Sequence, residues 1–213
     1  NLDASWSIKG GTEQSGTIDV YLTEDKDVLS KIKTSTNKGD SLGTNILHKD
    51  YDRISSGSEK ITLPKTMPSG AYYVVTTLST SEGISLAITD APIKFKNPSL
   101  PKPVKSAHIN YGGNGNLFVK VEDADAPDYT HYIAEIVSED GTVLQNNIGQ
   151  FERGKNFVFG KEAGLEVGKT YHVNIRTLNE KYEKLGEEYK TVYYYGDDTV
   201  RSDSFTLEEK HTV

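Results

Sequence analysis

The chain has 213 residues, of which 35% are hydrophobic, a formal net charge of −7 and no cysteine. This length and composition fit one large or two ordinary globular domains, and the lack of thiols excludes disulfides, thiolate metal sites and cysteine nucleophiles. The acidic charge argues against a nucleic-acid binder, and because no apolar run approaches the ~18 residues of a membrane helix, we expect no membrane insertion.

Hydrophobic residues alternate with polar ones along most of the sequence. In residues 2–8, 18–22 and 117–121, the apolar side chains recur at every second position, and turn-forming residues flank these segments. Such segments are typical of half-buried strands joined by tight turns. In residues 25–33 the apolar side chains recur three and four positions apart, which predicts one short surface helix. The sequence otherwise predicts an all-β protein.

Three prolines lie close together near the middle of the chain, within residues 98–103. Proline fixes φ and removes a backbone donor, so a central strand cannot pass through this stretch. We therefore predict two domains, residues 1–97 and 104–213, joined by a proline-rich linker at residues 98–103. Each domain has about the length of a seven-stranded β-sandwich, roughly 100 residues.

A weak internal repeat supports this division. Residues 63–75 and 165–176 both contain a leucine, a turn with glycine and then a tyrosine that opens an alternating strand. In a tyrosine corner, the ring fills the edge of the core and its hydroxyl bonds to the backbone a few residues upstream. The repeat predicts such a corner in each domain, at Tyr72-Tyr73 and at Tyr171.

Three segments of the second domain match one known family. Leu165–Asn179 looks like the corner and following strand of a fibronectin type III domain, and Leu117–Val121 and Thr130–Glu135 resemble that family's second and third strands. The resemblance covers residues 102–208, and it departs from the family at Val121, where a core tryptophan is usual. It implies two tandem antiparallel β-sandwiches, the second clearer than the first, and usually no catalysis.

The first domain is a more divergent β-sandwich. Its residues 71–96 resemble the end of similar, immunoglobulin-like sandwich modules from bacterial surface proteins, and Trp6 stands where the family has its core tryptophan. No strand precedes Leu2, so the first strand is missing, and an uncovered strand edge is a liability. We therefore expect the chain to be an excerpt or a processed piece of a larger protein; the alternative is a domain that lacks this strand.

The acidic segment 122–128 is the best candidate for a metal site. Its residues Asp123, Asp125 and Asp128 offer several carboxylates, and calcium prefers six to eight oxygen ligands at a flexible site. However, the spacing of an EF-hand is absent, and Pro127 restricts the loop. We therefore expect a solvated turn and no cofactor, with calcium at these three residues as the alternative.

Two histidines would lie on neighbouring strands of the second domain. His131 and His172 could face one another if the fold is right, but a zinc site would need a third ligand. Alternation places His172 on the outer face, opposite to Tyr171 and Val173. We therefore expect a solvated histidine rather than a metal ligand.

The sequence gives little support for an enzymatic activity. No phosphate-binding loop of the form Gly-x-x-x-x-Gly-Lys-Ser/Thr occurs. The segment 112–115 looks like a phosphate cradle, but no helix follows it, and we interpret it as a hairpin turn. Carboxylate pairs for glycoside hydrolysis stay open because their separation is spatial. Two sandwiches with short loops offer no obvious deep cleft, so we expect no enzymatic activity.

Tyrosine is concentrated near the C-terminus. Residues 180–200 are too long for an ordinary turn and carry Tyr189, Tyr193, Tyr194 and Tyr195. We predict an extended hairpin with aromatic side chains on both faces, and since tyrosine is enriched at recognition surfaces, Tyr189, Tyr193 and Tyr195 are the candidate ligand-binding residues. The alternative is that Tyr194 packs inward and its neighbours cover the joint between the domains.

These features predict non-catalytic binding or spacer modules of a larger extracellular, cell-surface or secreted bacterial protein, with a role in adhesion or protein binding. The expected partners are a protein or glycan ligand and other domains of the same parent chain, with no nucleic acid. Two alternatives stay open. The chain could supply accessory domains C-terminal to the catalytic domain of a secreted peptidase or glycosidase, or a carbohydrate-binding module that uses its tyrosine-rich arm.

Overall fold

The computed structural model describes residues 1–6, 15–32, 42–54 and 56–209. Strands make up 59% of the described residues and helix 4%, so the prediction of an all-β protein is confirmed. The chain forms two compact units, residues 1–97 and 98–213. In the part of the chain that the structure describes, no helix has the length and apolar character needed to cross a membrane.

The first unit contains two antiparallel sheets and one short helix. Its elements are β1 (Leu2–Trp6), β2 (Gly16–Thr23), α1 (Val28–Ile32), β3 (Thr44–Tyr51), β4 (Gly57–Ile61), β5 (Gly70–Thr80), β6 (Gly83–Ile88) and β7 (Ile93–Phe95). One sheet pairs β1 with β4, and the other has the order β3-β2-β5-β6, with β7 also paired to β5.

Buried side chains of the first unit lie on both faces of its larger sheet. Ile18 and Val20 of β2 pack with Ile61 of β4 between the two sheets. On the opposite face of the larger sheet, Val28 and Ile32 of α1 pack against β5. The predicted short helix is therefore confirmed, and it is held by its apolar face.

The second unit also contains two antiparallel sheets. Its elements are β8 (Ser106–Gly113), β9 (Asn116–Glu122), β10 (His131–Ser138), β11 (Val143–Glu152), β12 (Phe157–Phe159), a 3₁₀ turn (Lys161–Ala163), β13 (Thr170–Leu185), β14 (Glu188–Arg201) and β15 (Phe205–Thr206). One sheet has the order β12-β9-β8 and the other β11-β10-β13-β14, with β15 also paired to β13.

A single cluster of buried side chains joins the two sheets of the second unit. Leu117 and Val119 of β9 pack in the same cluster as Ala134 of β10 and Val173 and Ile175 of β13. Such a core between two antiparallel sheets is consistent with a β-sandwich.

The two units repeat one pattern of strand pairing. Strands β1 to β7 pair with one another as β9 to β15 do, and the second unit adds β8 beside β9. Among the described residues of the first unit, β8 has no counterpart. The internal repeat that the sequence suggests at two segments therefore extends to the order of the strands.

Both predicted tyrosine corners are confirmed. The hydroxyl of Tyr72 donates a hydrogen bond to the carbonyl oxygen of Pro68 at 2.9 Å, and the backbone N–H of Glu166 donates to the hydroxyl of Tyr171 at 2.7 Å. Both rings are buried. Each corner fixes the loop that leads into the long strand of its unit, β5 in the first and β13 in the second.

The proline-rich stretch lies within the second unit. The backbone N–H of Lys102 donates to Asp128 at 2.9 Å, and the carbonyl oxygen of Lys102 accepts from the Thr177 hydroxyl at 2.9 Å. Pro101 and Val104 are buried. Lys102 thus joins this stretch to β13 of the second unit, and the role of residues 98–103 as a linker between domains stays a prediction.

The glycine-rich segment between β8 and β9 is the hairpin turn that the sequence predicts. Asn114 and Gly115 have φ of 52° and 76°, and Gly113 pairs with Asn116 across the turn. Two consecutive residues with positive φ are typical of a type I′ turn, which favours the Asn-Gly sequence found here. This segment therefore joins two strands and does not lead into a helix.

A tyrosine face on a projecting ribbon

The hairpin of β13 and β14 continues beyond the sheet to which it belongs. β10 pairs with β13 from Tyr171 as far as Leu178. Past Leu178, β14 is the partner of β13 among the strands that the structure describes. The pairing of β13 with β14 continues to Leu185 and Glu188 at the tip. The extended hairpin predicted from the sequence is confirmed, and its projecting part, which we call the ribbon, is roughly 23 Å long at ~3.3 Å per residue.

A two-residue turn sets the register of the ribbon. Gly186 and Glu187 lie between the paired residues Leu185 and Glu188. Gly186 has a φ of 66°, whereas Glu187 does not have a positive φ. A positive φ at the first turn position only is the requirement of a type II′ turn, which explains the glycine at this position.

Four exposed tyrosines share one face of the ribbon. Tyr189, Tyr193 and Tyr195 are separated by even intervals along β14, and alternate residues of a strand point to the same face. Tyr182 of β13 joins them because it pairs with Thr191, which lies on that face between Tyr189 and Tyr193. The exposed fractions are 73% for Tyr182, 58% for Tyr189, 45% for Tyr193 and 38% for Tyr195. We call these four residues the tyrosine face.

Contacts between side chains order both ends of the tyrosine face. The rings of Tyr182 and Tyr189 stack with their centroids 5.5 Å apart and an angle of 25° between their planes. The guanidinium carbon of Arg176 lies 5.3 Å from the centroid of the Tyr195 ring, in a cation–π contact. These contacts restrict the rings before any ligand arrives, so the conformational entropy lost on binding is smaller.

Tyr194 lies on the opposite face of the ribbon and is 2% exposed. Its hydroxyl donates a hydrogen bond to Glu183 at 2.8 Å, and the amine of Lys181 lies 4.9 Å from its ring centroid. Burial and the Glu183 carboxylate raise the pKa of Tyr194. Tyr194 therefore packs inward, whereas the further expectation that its neighbours cover a joint between domains stays a prediction.

Asp123 of the acidic loop accepts hydrogen bonds from two buried tyrosines. Its Oδ1 accepts hydrogen bonds from the hydroxyls of Tyr132 at 2.6 Å and Tyr129 at 2.9 Å. Burial raises the pKa of Tyr129 to about 12, and it also raises the pKa of Tyr132. A guanidinium nitrogen of Arg153 lies 3.9 Å from the other carboxylate oxygen. The first of the three predicted calcium ligands thus ties the loop to the core.

The other two predicted calcium ligands lie in different surroundings. Asp128 accepts the backbone N–H of Lys102 at 2.9 Å, and Asp125 is exposed. Over the described ranges, no three acidic or histidine side chains are grouped so that they could hold a metal ion. A calcium ion at Asp123, Asp125 and Asp128 would compete with these protein donors, and the site stays a prediction.

The expectation of a solvated His172 is wrong, and His131 and His172 do not face one another. His172 is buried, with 7% exposure, rather than solvated. It pairs with Val137, whereas His131 pairs with Leu178, so the two rings lie roughly 20 Å apart along the strands and do not face each other. Alternation assigns His172 to the outer face correctly, but Val137 beside it is also buried, so this part of the sheet is covered on both faces. Burial, with the charge of Arg201, lowers the pKa of His172.

No protein-family model matches this chain, and no curated protein matches its sequence. The tyrosine face is therefore interpreted from its own geometry and chemistry. The structure brings together the three tyrosines that the sequence nominates and adds Tyr182, which sequence reasoning missed. The position of Gly186 could have revealed Tyr182, because a two-residue turn that begins at Gly186 places Tyr182 opposite Thr191.

Proposed function

We propose that the chain forms non-catalytic binding or spacer modules of a larger extracellular, cell-surface or secreted bacterial protein, and that the tyrosine face is its ligand contact. The observation that carries this proposal is the row of four exposed aromatic rings on a ribbon that projects from its sheet. A contiguous exposed patch of large aromatic side chains is unusual for a surface without a partner, and tyrosine contributes a large contact area with few rotatable bonds.

The grouping of strands supports a fibronectin type III-like assignment of the second unit. One sheet holds the first, second and fifth strands of the unit, and the other holds its third, fourth, sixth and seventh strands, with a tyrosine corner before the sixth. Modules of this kind commonly bind through the ends of the sandwich, where the ribbon lies. The extracellular location is proposed from composition, since cysteine-free, Thr/Ser/Asn/Gly-rich β modules are typical of bacterial surface proteins.

The proposal is tested by presenting the fluorescently labelled chain to immobilised polysaccharides and purified extracellular proteins. We expect at least one component to bind, and we expect Tyr193→Ala combined with Tyr195→Ala to weaken that binding at least about tenfold, or ~1.4 kcal/mol. Leu185→Ala is the matched control, because Leu185 is 51% exposed on the opposite face of the ribbon. Absence of binding to every component, or equal binding by the double variant, would contradict the proposal.

A further inference from the structure

We propose that the tyrosine face binds a neutral oligosaccharide, with one sugar ring seated over Thr191 between Tyr193 and the stacked pair of Tyr182 and Tyr189. This inference rests on the proposed function and names the class of ligand for the same surface.

The tyrosine face has a gap at Thr191, the smallest side chain of its row on β14. The Cα atoms of Tyr189 and Tyr193, on either side of Thr191, are about 13 Å apart in an extended strand. Tyr182 pairs directly with Thr191, but its ring stacks on its diagonal neighbour Tyr189. The space over Thr191 is therefore bounded by one aromatic ring on the side of the sheet and by two on the side of the tip. We call this space the notch.

The chemistry of the notch suits a ring that is apolar on its faces and polar at its edge. Sites for small ligands combine aromatic walls with a few placed polar groups. Tyr193 on one side and the stacked pair on the other offer apolar ring surface to the C–H groups of a sugar, and the Thr191 hydroxyl offers both a donor and an acceptor at the floor. The phenol hydroxyls add polar groups at the rim, where the hydroxyls of the sugar would lie.

The charges on this face indicate a neutral ligand. Glu180 pairs with Tyr193 and Lys184 pairs with Tyr189, so one acid and one base flank the notch on the same face. Their charges cancel, while each can hydrogen-bond to a hydroxyl group. Two further basic side chains near this face are already in contact with its residues, Arg176 with the Tyr195 ring and His131 with the Glu180 carboxylate at 4.0 Å. An acidic or a basic ligand would therefore meet a charge of its own sign at one end of the notch.

The size of the face favours a thin ligand over a globular one. The exposed parts of the four tyrosines amount to roughly 400 Å², about half of the ~800 Å² that each partner contributes to a standard protein interface. A stable dimer through this face would thus need a second contact. A single extended oligosaccharide fits the two-stranded width of the ribbon, where the strands are about 5 Å apart.

The test is affinity electrophoresis and calorimetry of the intact chain with neutral plant, fungal and bacterial polysaccharides and with hexasaccharides prepared from them. We expect at least one to bind, and Thr191→Tyr to weaken its binding at least about tenfold because the new ring fills the notch. Leu185→Tyr is the matched control, because it adds an equal ring to the opposite face of the ribbon, where Leu185 is 51% exposed, and it is expected to bind like the unmodified chain. Thermal unfolding of both variants checks that the fold is unchanged.

Thr191→Tyr separates a specific notch from general adhesiveness, because it adds an aromatic ring while closing the notch. Sugar binding that Thr191→Tyr and the double variant of Tyr193 and Tyr195 leave unchanged would overturn the inference. Binding that depends on Tyr193 and Tyr195 but is confined to a protein or a proline-rich peptide would overturn it and leave the proposed function standing. If the chain self-associates in sedimentation and these variants abolish the self-association, the face binds a second copy and the oligosaccharide proposal is overturned. Absence of any binding would overturn both proposals.

Discussion

At the scale of single residues, two buried hydroxyls converge on one carboxylate oxygen. Tyr129 and Tyr132 both belong to the core of the second unit, and both donate to Oδ1 of Asp123. A buried hydroxyl left without a partner costs about 1–3 kcal/mol. Asp123 thus fixes the loop after β9 to the beginning of β10, a structural role that its position in an acidic run does not suggest.

Replacing Asp123 is expected to destabilise the second unit. Asp123→Ala removes the acceptor of two buried tyrosines, and we expect the free energy of unfolding to fall by about 3 kcal/mol. Urea denaturation followed by circular dichroism measures this change. Asp125→Ala, an exposed neighbour in the same loop, should change it by less than about 0.5 kcal/mol. Equal stabilities of the two variants would contradict the proposed role of Asp123.

His172 should make stability depend on pH. Burial lowers its pKa below the ordinary value near 6.5, so it contributes stability above pH ~6.5 that is lost as the pH falls through the lowered pKa. We therefore expect the unmodified chain to lose more stability between pH 8 and pH 5 than His172→Gln does. Parallel losses in urea titrations at the two pH values would contradict this.

His48 contributes to the pH dependence of stability in the opposite direction. Its hydrogen bond to Asp19 raises the pKa of His48, so its contribution is present below pH ~6.5 and is lost as the pH rises through the raised pKa. His48 lies in the first unit and is unchanged in His172→Gln. Its effect therefore cancels when the variant is compared with the unmodified chain.

At the scale of elements, alternation along β14 predicts part of the tyrosine face. Within β14 alone, the spacing of the tyrosines predicts that Tyr193 and Tyr195 share a face and that Tyr194 points the other way, and the structure has them so. The place of Tyr182 depends on pairing between strands, which the turn at Gly186 sets and alternation does not contain. The stacking of Tyr182 on Tyr189 follows from that register.

Other features depend on contacts that are remote in sequence. His172 is on the face that alternation assigns to it, but alternation cannot show that this face is also covered. The spacing of Asp123, Asp125 and Asp128 suggests shared coordination, whereas the partners of Asp123 come from β10 and the residues just before it. Strand type and turn chemistry are local and could be predicted, while the partners of a polar side chain are set by tertiary packing.

The ribbon should depend on Tyr194 for its order. Tyr194→Ala removes a buried ring together with its contacts to Glu183 and Lys181, and we expect faster trypsin cleavage at Lys181, Lys184 and Lys190. Tyr193→Ala, which truncates an exposed ring on the next residue, should leave the cleavage rate unchanged. Limited proteolysis with mass spectrometry measures both rates, and similar cleavage of the two variants would show that Tyr194 is not the anchor.

At the scale of the whole molecule, the two units differ in how the buried side chains of their described residues are grouped. Most buried hydrophobic side chains of the second unit belong to one large cluster, to which β8 contributes Ala107 and Ile109. Among the described residues of the first unit, the buried hydrophobic side chains fall into three smaller clusters, and the inward residues of β1 are only half-buried. Because stabilisation scales with the apolar area buried, we expect the first unit to be the less stable one.

The single tryptophan allows this difference to be measured. Trp6 lies on β1 in edge contact with Tyr51, so its fluorescence reports on the first unit alone. We expect the fluorescence to change at a lower urea concentration than the last transition in circular dichroism. Val119→Ala, in the core of the second unit, should move only that last transition. One coincident transition for both signals would contradict the account of two separate cores.

The most direct test of the tyrosine face is hydroxyl-radical footprinting of the free protein, read residue by residue by tandem mass spectrometry. We expect rapid labelling of the four residues of the tyrosine face and slow labelling of Tyr194. Once a ligand is bound, the labelling of Tyr182, Tyr189, Tyr193 and Tyr195 should slow down. Labelling of Tyr194 as fast as that of Tyr193 and Tyr195 would contradict the one-sided face on which the proposed function depends.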